Sequence, residues 1–249
     1  MNEKPYLSVI IPAYKEEHRI GKTLVELDKY FSKQNYTYEL IVVNDGSPDK
    51  TSDVVKSYQN LVKNLKLIDN EKNHGKGYVT RQGMLEAKGE YRIYIDADNA
   101  ITMEQIEAFW SWLEKGYDVI IGSIELEGSK IEEHSAWYRR ALGHWAKYLI
   151  RVLTVWEIHD TQRAFKLFPA KAAEEIFSRQ TIMRWGFDIE VLVLAKKLGY
   201  KIKELPVTWI NPGESKISLG SYFNTLKELL KIKWNSLTGK YNIKSKTAA

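Results

Sequence analysis

Tyr91-Arg92-Ile93-Tyr94-Ile95 runs directly into Asp96-Ala97-Asp98. The first five residues read as a short buried strand, and the aspartates fall at its carboxyl end. In open α/β sheets that end is where ligands bind. Carboxylates two residues apart off a strand can face one divalent cation while it holds a diphosphate. A lone Asp-x-Asp serves more often as a helix cap or solvated turn, so its place behind a strand is what gives it weight.

The segments around it keep an alternating rhythm. Leu7-Ser8-Val9-Ile10-Ile11 predicts a buried strand stopped by Pro12, after which Ile20, Leu24, Leu27 and Phe31 recur at helical spacing. Leu40 to Val43 predicts a second strand, closed by the turn-forming Asp45-Gly46-Ser47-Pro48, with a helix start at Asp49 to Ser52. Leu65 to Ile68, Gly77 to Ala87, Tyr91 to Ile95, Met103 to Leu113 and Asp118 to Ile121 continue it as strand, helix, strand, helix and strand. This predicts an α/β fold with a mostly parallel, doubly wound sheet flanked by helices.

The second half breaks the rhythm. Trp137 to Trp156 predicts a long helix, Ala164 to Phe168 a strand, Ala170 to Phe177 and Phe187 to Leu198 helices, and Ile202 to Val207 a strand. Tyr222 to Leu237 predicts an amphipathic helix ahead of a polar tail. The expected organisation is one domain over residues 1–220, with a first half to 123 and a second from 124, followed by the helix and basic tail of 221–249.

A chain of 249 residues with 44% apolar and 28% charged residues suits one ordinary globular core. Without cysteine, disulfides, cysteine-bound zinc and thiol catalysis are excluded. The start, Met1-Asn2-Glu3-Lys4-Pro5, lacks a secretory signal, and no apolar run approaches a membrane span. The net charge of +5 is unevenly placed: from Lys196 onward eleven lysines face only Glu204, Glu214 and Glu228. Such a terminus suits an anionic surface, although a solvated lysine-rich face is an equal reading. We find no nucleic-acid recognition motif. The expected location is cytoplasmic, peripheral on the cytosolic face of a membrane.

The first strand leads into Pro12-Ala13-Tyr14-Lys15-Glu16-Glu17 rather than a glycine-rich turn, which removes the dinucleotide-binding reading. Tyr14 and Glu16 stand where a ring and a carboxylate would reach the ligand edge. Asp45 can accept from a base N–H or a ribose hydroxyl, or merely cap the next helix. Asn73-His74-Gly75-Lys76-Gly77 lacks the P-loop spacing, leaving Lys76 as a candidate phosphate or pyrimidine contact. Asp160-Thr161-Gln162-Arg163-Ala164-Phe165-Lys166 and Arg184-Trp185-Gly186-Phe187-Asp188-Ile189-Glu190 mix cations, carboxylates and aromatics where the chain changes element.

Taken together, Leu7 to Glu17, Val42 to Thr51, Asn73 to Gly83 and Ile93 to Asp98 resemble the nucleotide-sugar half of the inverting GT-A glycosyltransferases of family 2. Asp160 to Phe168, Arg184 to Glu190, Leu205-Pro206-Val207 and Gly213-Glu214-Ser215-Lys216 resemble its polyprenyl-phosphate hexosyltransferase branch, the dolichyl-phosphate glucosyl-transferring members most of all. The resemblance implies a GT-A fold in which Pro12, Tyr14, Glu16 and Asp45 hold the nucleoside. It implies that Asp96, Ala97 and Asp98 flank the donor, with Asp98, beside Asp96, on Mg2+ or Mn2+. Ala100 stands where the mannose-transferring branch has glutamine, which points to UDP-glucose as donor. Two positions depart from the family pattern: Ile124 replaces an arginine near the donor phosphates, and Arg163-Ala164 replaces Cys-Gly. The amino-terminal anchor of the eukaryotic members has no counterpart here.

The implied partners are a nucleotide sugar, a polyprenyl phosphate lipid and the membrane surface, with an integral-membrane partner left open. A phosphate monoester has a second pKa of about 6, so such an acceptor is largely anionic without a base. Arg139, Arg140, Arg163, Lys166 and Lys216 are the candidates for clamping it. Asp160 and Asp188 are expected to orient a cation rather than act as base, with Arg184 also in the catalytic set. Trp137, Tyr138, Arg139, Arg140, Trp145, Tyr148, Arg151 and Trp156 on one helix, and Tyr222, Phe223, Leu226, Leu229, Leu230 and Trp234 beside Lys227, Lys231 and Lys233 on another, suit a headgroup boundary or a core-facing stripe. Two alternatives stand beside the leading one. One is a transferase acting on a glycan or protein hydroxyl. The other is a non-catalytic nucleotide-binding module that docks on membranes.

Overall fold

A computed structural model describes residues 4–132, 148, 150–210 and 219–243, with the backbone alone for 131, 132 and 219–223. Seven strands form the main sheet in the order β3-β2-β1-β4-β7-β5-β8. They are β1 (Leu7–Ala13), β2 (Tyr38–Asp45), β3 (Leu65–Asn70), β4 (Tyr91–Tyr94), β5 (Val119–Ser123), β7 (Lys166–Pro169) and β8 (Ile202–Pro206). All pairings are parallel except those of β7 with β4 and β5. The continuous apolar runs of β1 and β2 are buried along nearly their whole length, as strands covered on both faces must be.

Alternation along β1 sends Ile10 to one face and Val9 and Ile11 to the other. On the first face pack α3 (Lys76–Glu86), α5 (Ala170–Arg179), α6 (Phe187–Lys197) and α7 (Leu219–Leu237), through Val79, Phe177, Leu192, Leu229 and Ile232 among others. On the second lie α1 (Ile20–Phe31), α2 (Thr51–Tyr58) and α4 (Glu107–Glu114), which bring Leu24, Phe31, Val55 and Phe109. A 3-10 turn, Met103–Ile106, precedes α4, so the helix expected from Met103 begins as a tighter coil.

Three expected element limits are corrected by the structure. Pro12 does not stop β1, which continues to Ala13. The Ile10 carbonyl accepts from Ile95 N–H on the β4 side, where that ladder ends, so the missing N–H of Pro12, two residues on, leaves no bond unmade. The strand expected from Ala164 starts at Lys166, because Phe165 takes φ 91 and breaks the extended run. The long helix expected to reach Trp156 ends at 153, where Arg151 Nε donates to the Trp156 carbonyl (3.1 Å) and Thr154 Oγ1 to that of Ile150 (2.6 Å). Unforeseen is a second, parallel sheet of β6 (Lys130–Glu132) and β9 (Thr208–Ile210). Its three-residue strands are too short to show a period in sequence.

Candidate active site

The carboxyl ends of β1, β2 and β4 converge on one rim. Beyond β1, Lys15 adopts φ 57, and this turn is stitched to the loop after β2 by Lys15 N–H on Ser47 Oγ (3.0 Å) and Glu16 N–H on Thr51 Oγ1 (2.8 Å). Glu16 receives a bidentate grip from Arg19 at 2.8 and 2.9 Å. The same guanidinium reaches to 3.9 Å from Asp98. Arg19 was not singled out in the sequence, where its pairing with Glu16 three residues earlier is the local sign and its reach to Asp98 has none.

Asp45, at the end of β2, is buried and accepts from the N–H groups of His74 (2.7 Å) and Gly75 (3.0 Å) and from Asn73 Nδ2 (2.9 Å). Burial pushes its carboxyl up, against those hydrogen bonds. The carboxylate thus shapes the loop ahead of α3. Gly75 permits this shape: its φ is 103, and a Cβ there would lie 2.4 Å from the Met183 carbonyl oxygen.

Asp96 and Asp98 follow β4. Thr23 Oγ1 donates to the Ala97 carbonyl between them (2.6 Å), and Ile210 N–H to the Ala100 carbonyl (2.8 Å), so α1 and β9 fix the turn from either side. Lys76, the first residue of α3, places Nζ 2.6 Å from Asp96 Oδ1. Burial would lower the Lys76 ammonium, but Asp96, Asp188 and Asp98 outweigh it and raise it. Burial would likewise raise the Asp96 carboxyl, but Lys76, Arg163 and Lys166 hold it below the usual range. Asp98 goes the other way: burial and the Asp96 charge push it up, while its Oδ1 accepts only from Ala100 N–H (3.1 Å) among the described hydrogen bonds. Two carboxylates crowding one rim, partly exposed and mutually repelling, are a donor set suited to a hard divalent cation. The residues present fit such an ion.

Behind this rim lies a buried cluster. Asp188, in the first turn of α6, accepts at Oδ1 from Tyr94 (2.7 Å) and Lys166 (2.7 Å). Lys166 also donates to the Arg163 carbonyl, and its side chain is 0% exposed. Lys166 is therefore corrected as an acceptor-phosphate contact, since its ammonium faces inward. Strained backbone at Phe165 turns it there: Phe165 N–H bonds the Tyr94 carbonyl (3.0 Å), and its own carbonyl takes Gly122 N–H (2.9 Å). Asp160 is buried too, accepting from Ile124 N–H (3.3 Å) and Arg163 Nε (3.5 Å). Arg163 stacks its guanidinium 4.9 Å from the Trp209 ring. Arg184 is exposed near Asp45 and Glu228, and the ring of Trp185 beside it lies 5.6 Å from Lys76 Nζ.

The fold therefore gathers Glu16, Lys76, Asp96 and Asp98 at one rim, with Arg163 and Asp188 in the cluster behind it. Pro12 and Tyr14 close its β1 side, with Tyr14 half-buried. Arg139, Arg140 and Lys216, with Trp137, Tyr138 and Trp145, lie outside the described residues. Sequence reasoning missed Arg19, Glu228 and the phenol of Tyr94, the last hidden inside an apolar-looking strand.

The description "Glycosyl transferase family 2" belongs to the family model that matches residues 8–177. The chain is 34% identical over 256 residues to the dolichyl-phosphate beta-glucosyltransferase of Homo sapiens, covering 95% of this chain and 78% of that protein. The Dictyostelium discoideum protein of that name is 33% identical, with 96% and 77% covered. Among solved structures, mannosyl-3-phosphoglycerate synthase from Rubrobacter xylanophilus superposes with a TM-score of 0.70 at 15% identity, covering 98% of this chain and 77% of that one. Glucosyl-3-phosphoglycerate synthase from Mycobacterium tuberculosis, solved with UDP, gives 0.67 at 14% identity over 97% and 82%. At that identity these structures share the fold.

Proposed function

The chain belongs to glycosyl transferase family 2, and from that premise we propose that it moves glucose from UDP-glucose to a dolichyl or other polyprenyl phosphate at a membrane surface, with inversion at the sugar carbon. The observation that carries this reading is the Asp96–Asp98 pair at the end of β4, crowded enough to raise Asp98 and flanked by Lys76 and Arg19. Its acceptor comes from the relatives' names, at 34% identity across most of the chain.

Asp98, with Asp96, would hold Mg2+ or Mn2+, which supplies neutralisation of the charge developing on the departing diphosphate. Lys76 is a second cation at the same place. Its ammonium, held 2.6 Å from Asp96, would meet a phosphate bound over the pair. Arg19 is pre-oriented by Glu16 and keeps the Asp98 side of the rim from accumulating negative charge. The walls of the nucleoside site are Pro12, Tyr14 and the loop that Asp45 shapes.

The acceptor is an anion before it arrives, so attack on the sugar carbon needs a charge clamp more than proton removal. Arg163 and the exposed Arg184 are the described candidates for that clamp, with Arg139, Arg140 and Lys216 proposed beside them. Asp188 is occupied by Lys166 and Tyr94, which suits positioning and not general-base work.

The test is incubation with UDP-[14C]glucose, Mn2+ and a short-chain polyprenyl phosphate, followed by lipid extraction and mass analysis. A glucosylated lipid phosphate of β configuration is expected, and its formation should stop with a chelator. Absence of any glycolipid across UDP- and GDP-sugars would sink the proposal.

A further inference from the structure

Helix α7 is apolar on two sides. With 100° per residue, Leu229, Ile232 and Asn235 lie on one face, and all three are buried against the sheet's first face. Leu226, Leu230, Trp234 and Leu237 line up on the side away from it, where they are 40%, 56%, 67% and 73% exposed. Core packing accounts for the first stripe and leaves the second unexplained. Exposed lysines flank this outer stripe, Lys227 and Lys231 along one edge and Lys233 along the other.

A second exposed group stands close by. Tyr148, Val152 and Trp156 are each about half exposed, with the Arg151 guanidinium 5.0 Å from the Trp156 ring. The consecutive residues Lys196 and Lys197, at the end of α6, bond Glu157 and the Ser236 carbonyl (3.0 Å) respectively. Glu157, next to Trp156, and Ser236, next to Leu237, are therefore both tied to the end of α6.

We propose that the outer stripe of α7, joined by Tyr148, Val152 and Trp156, is a docking face for an anionic bilayer, and that it holds the active-site rim at a fixed orientation to the lipid. Charge selects this occupant. Lysine is depleted at the centre of protein–protein interfaces, whereas cationic flanks around leucine and tryptophan match anionic headgroups over an acyl boundary.

The orientation is fixed because α7 is latched to the segment bearing Asp188. Glu228 Oε2 accepts from Gly186 N–H at 2.7 Å, and Asn235 Nδ2 donates to Thr181 Oγ1 at 3.0 Å. Beyond the helix, Tyr241 donates to Glu190 at 2.9 Å. A Cβ on Gly186 would come within 2.9 Å of the Glu228 Cβ, so the contact between turn and helix is close. The inference deepens the proposed reading, because a lipid-borne acceptor must be met at a defined height above the bilayer.

The test is sedimentation with vesicles, without donor or acceptor, so that its failure and failure of the transferase assay are read separately. The full chain should sediment with phosphatidylcholine vesicles containing about a third phosphatidylserine, and weakly with phosphatidylcholine alone. The Leu230→Glu/Trp234→Glu variant should bind the anionic vesicles about tenfold less, with an unchanged thermal midpoint since both side chains point outward. Lys227→Gln/Lys231→Gln/Lys233→Gln should erase the preference for phosphatidylserine. Equal sedimentation of all three proteins would overturn the proposal. So would concentration-dependent dimerisation lost in Leu230→Glu/Trp234→Glu, which would assign the stripe to a second copy.

Discussion

Two pairs of aspartates sit within one site and are treated in opposite ways. Asp96 and Asp98 stand at the rim with side chains 36% and 19% exposed, and the described ammonium in contact with them, Lys76, belongs to Asp96. Asp160 and Asp188 are each 4% exposed and pinned by backbone N–H groups, a phenol and a buried lysine. The difference teaches that a carboxylate's work follows from what already occupies its oxygens. The rim pair is left partly exposed, while the inner pair is consumed by holding Lys166, Arg163 and the backbone in place.

The sharpest break of this contrast is Asp188→Ala. It leaves the Lys166 ammonium buried without its counter-ion, and chemical denaturation should show a loss of about 3–5 kcal/mol. Lys166→Met combined with Asp188→Leu should recover most of that stability. If Asp188→Ala instead keeps full stability and loses only turnover, the inner pair is catalytic and the contrast fails.

Asp98→Ala should do the reverse. Its thermal midpoint should hold, while turnover falls roughly 10²–10³-fold and calorimetric UDP binding stops responding to Mn2+. Lys76→Gln sharpens the rim further. If Lys76 meets the diphosphate as proposed, its loss should weaken UDP by about tenfold, and freeing Asp96 should tighten Mn2+ binding measured without nucleotide.

The smallest effect tests a third arrangement, a carboxylate among phenols at the far side of α1. Tyr30 bonds both Tyr36 (3.2 Å) and Glu107. Burial first, and then Glu107 and Tyr6, push the Tyr36 phenol up to about 12, although the hydrogen bond it shares with Tyr30 opposes them. The unfolded chain, with its phenol near 10.0, releases that proton earlier. The stability from this group is therefore complete below pH 10 and is lost as pH rises through about 12. Tyr36→Phe should flatten the decline in melting temperature across that window.

The parallel first half was legible because strands buried on both faces must be apolar runs, and Val9-Ile10-Ile11, Leu40 to Val43 and Ile93-Tyr94-Ile95 obey. The rim aspartates stood out because they follow such a strand, at the sheet end where ligands bind in open α/β folds. Arg19 escaped because its role lies in reaching across to Asp98 from a different element. Lys166 misled because sequence shows a cation beside aromatics but not which way it points, and the φ of 91 at Phe165 turns it inward.

The chain by itself determined the alternation of elements, the carboxylates at the end of β4 and the lysine-rich terminus, since each follows from residue type and spacing within a local window. Tertiary structure alone decided which aspartates remain open and which are spent. It also decided that α7 presents a second apolar stripe outward. Burial and partnership are properties of the space between elements, and no local window contains that space.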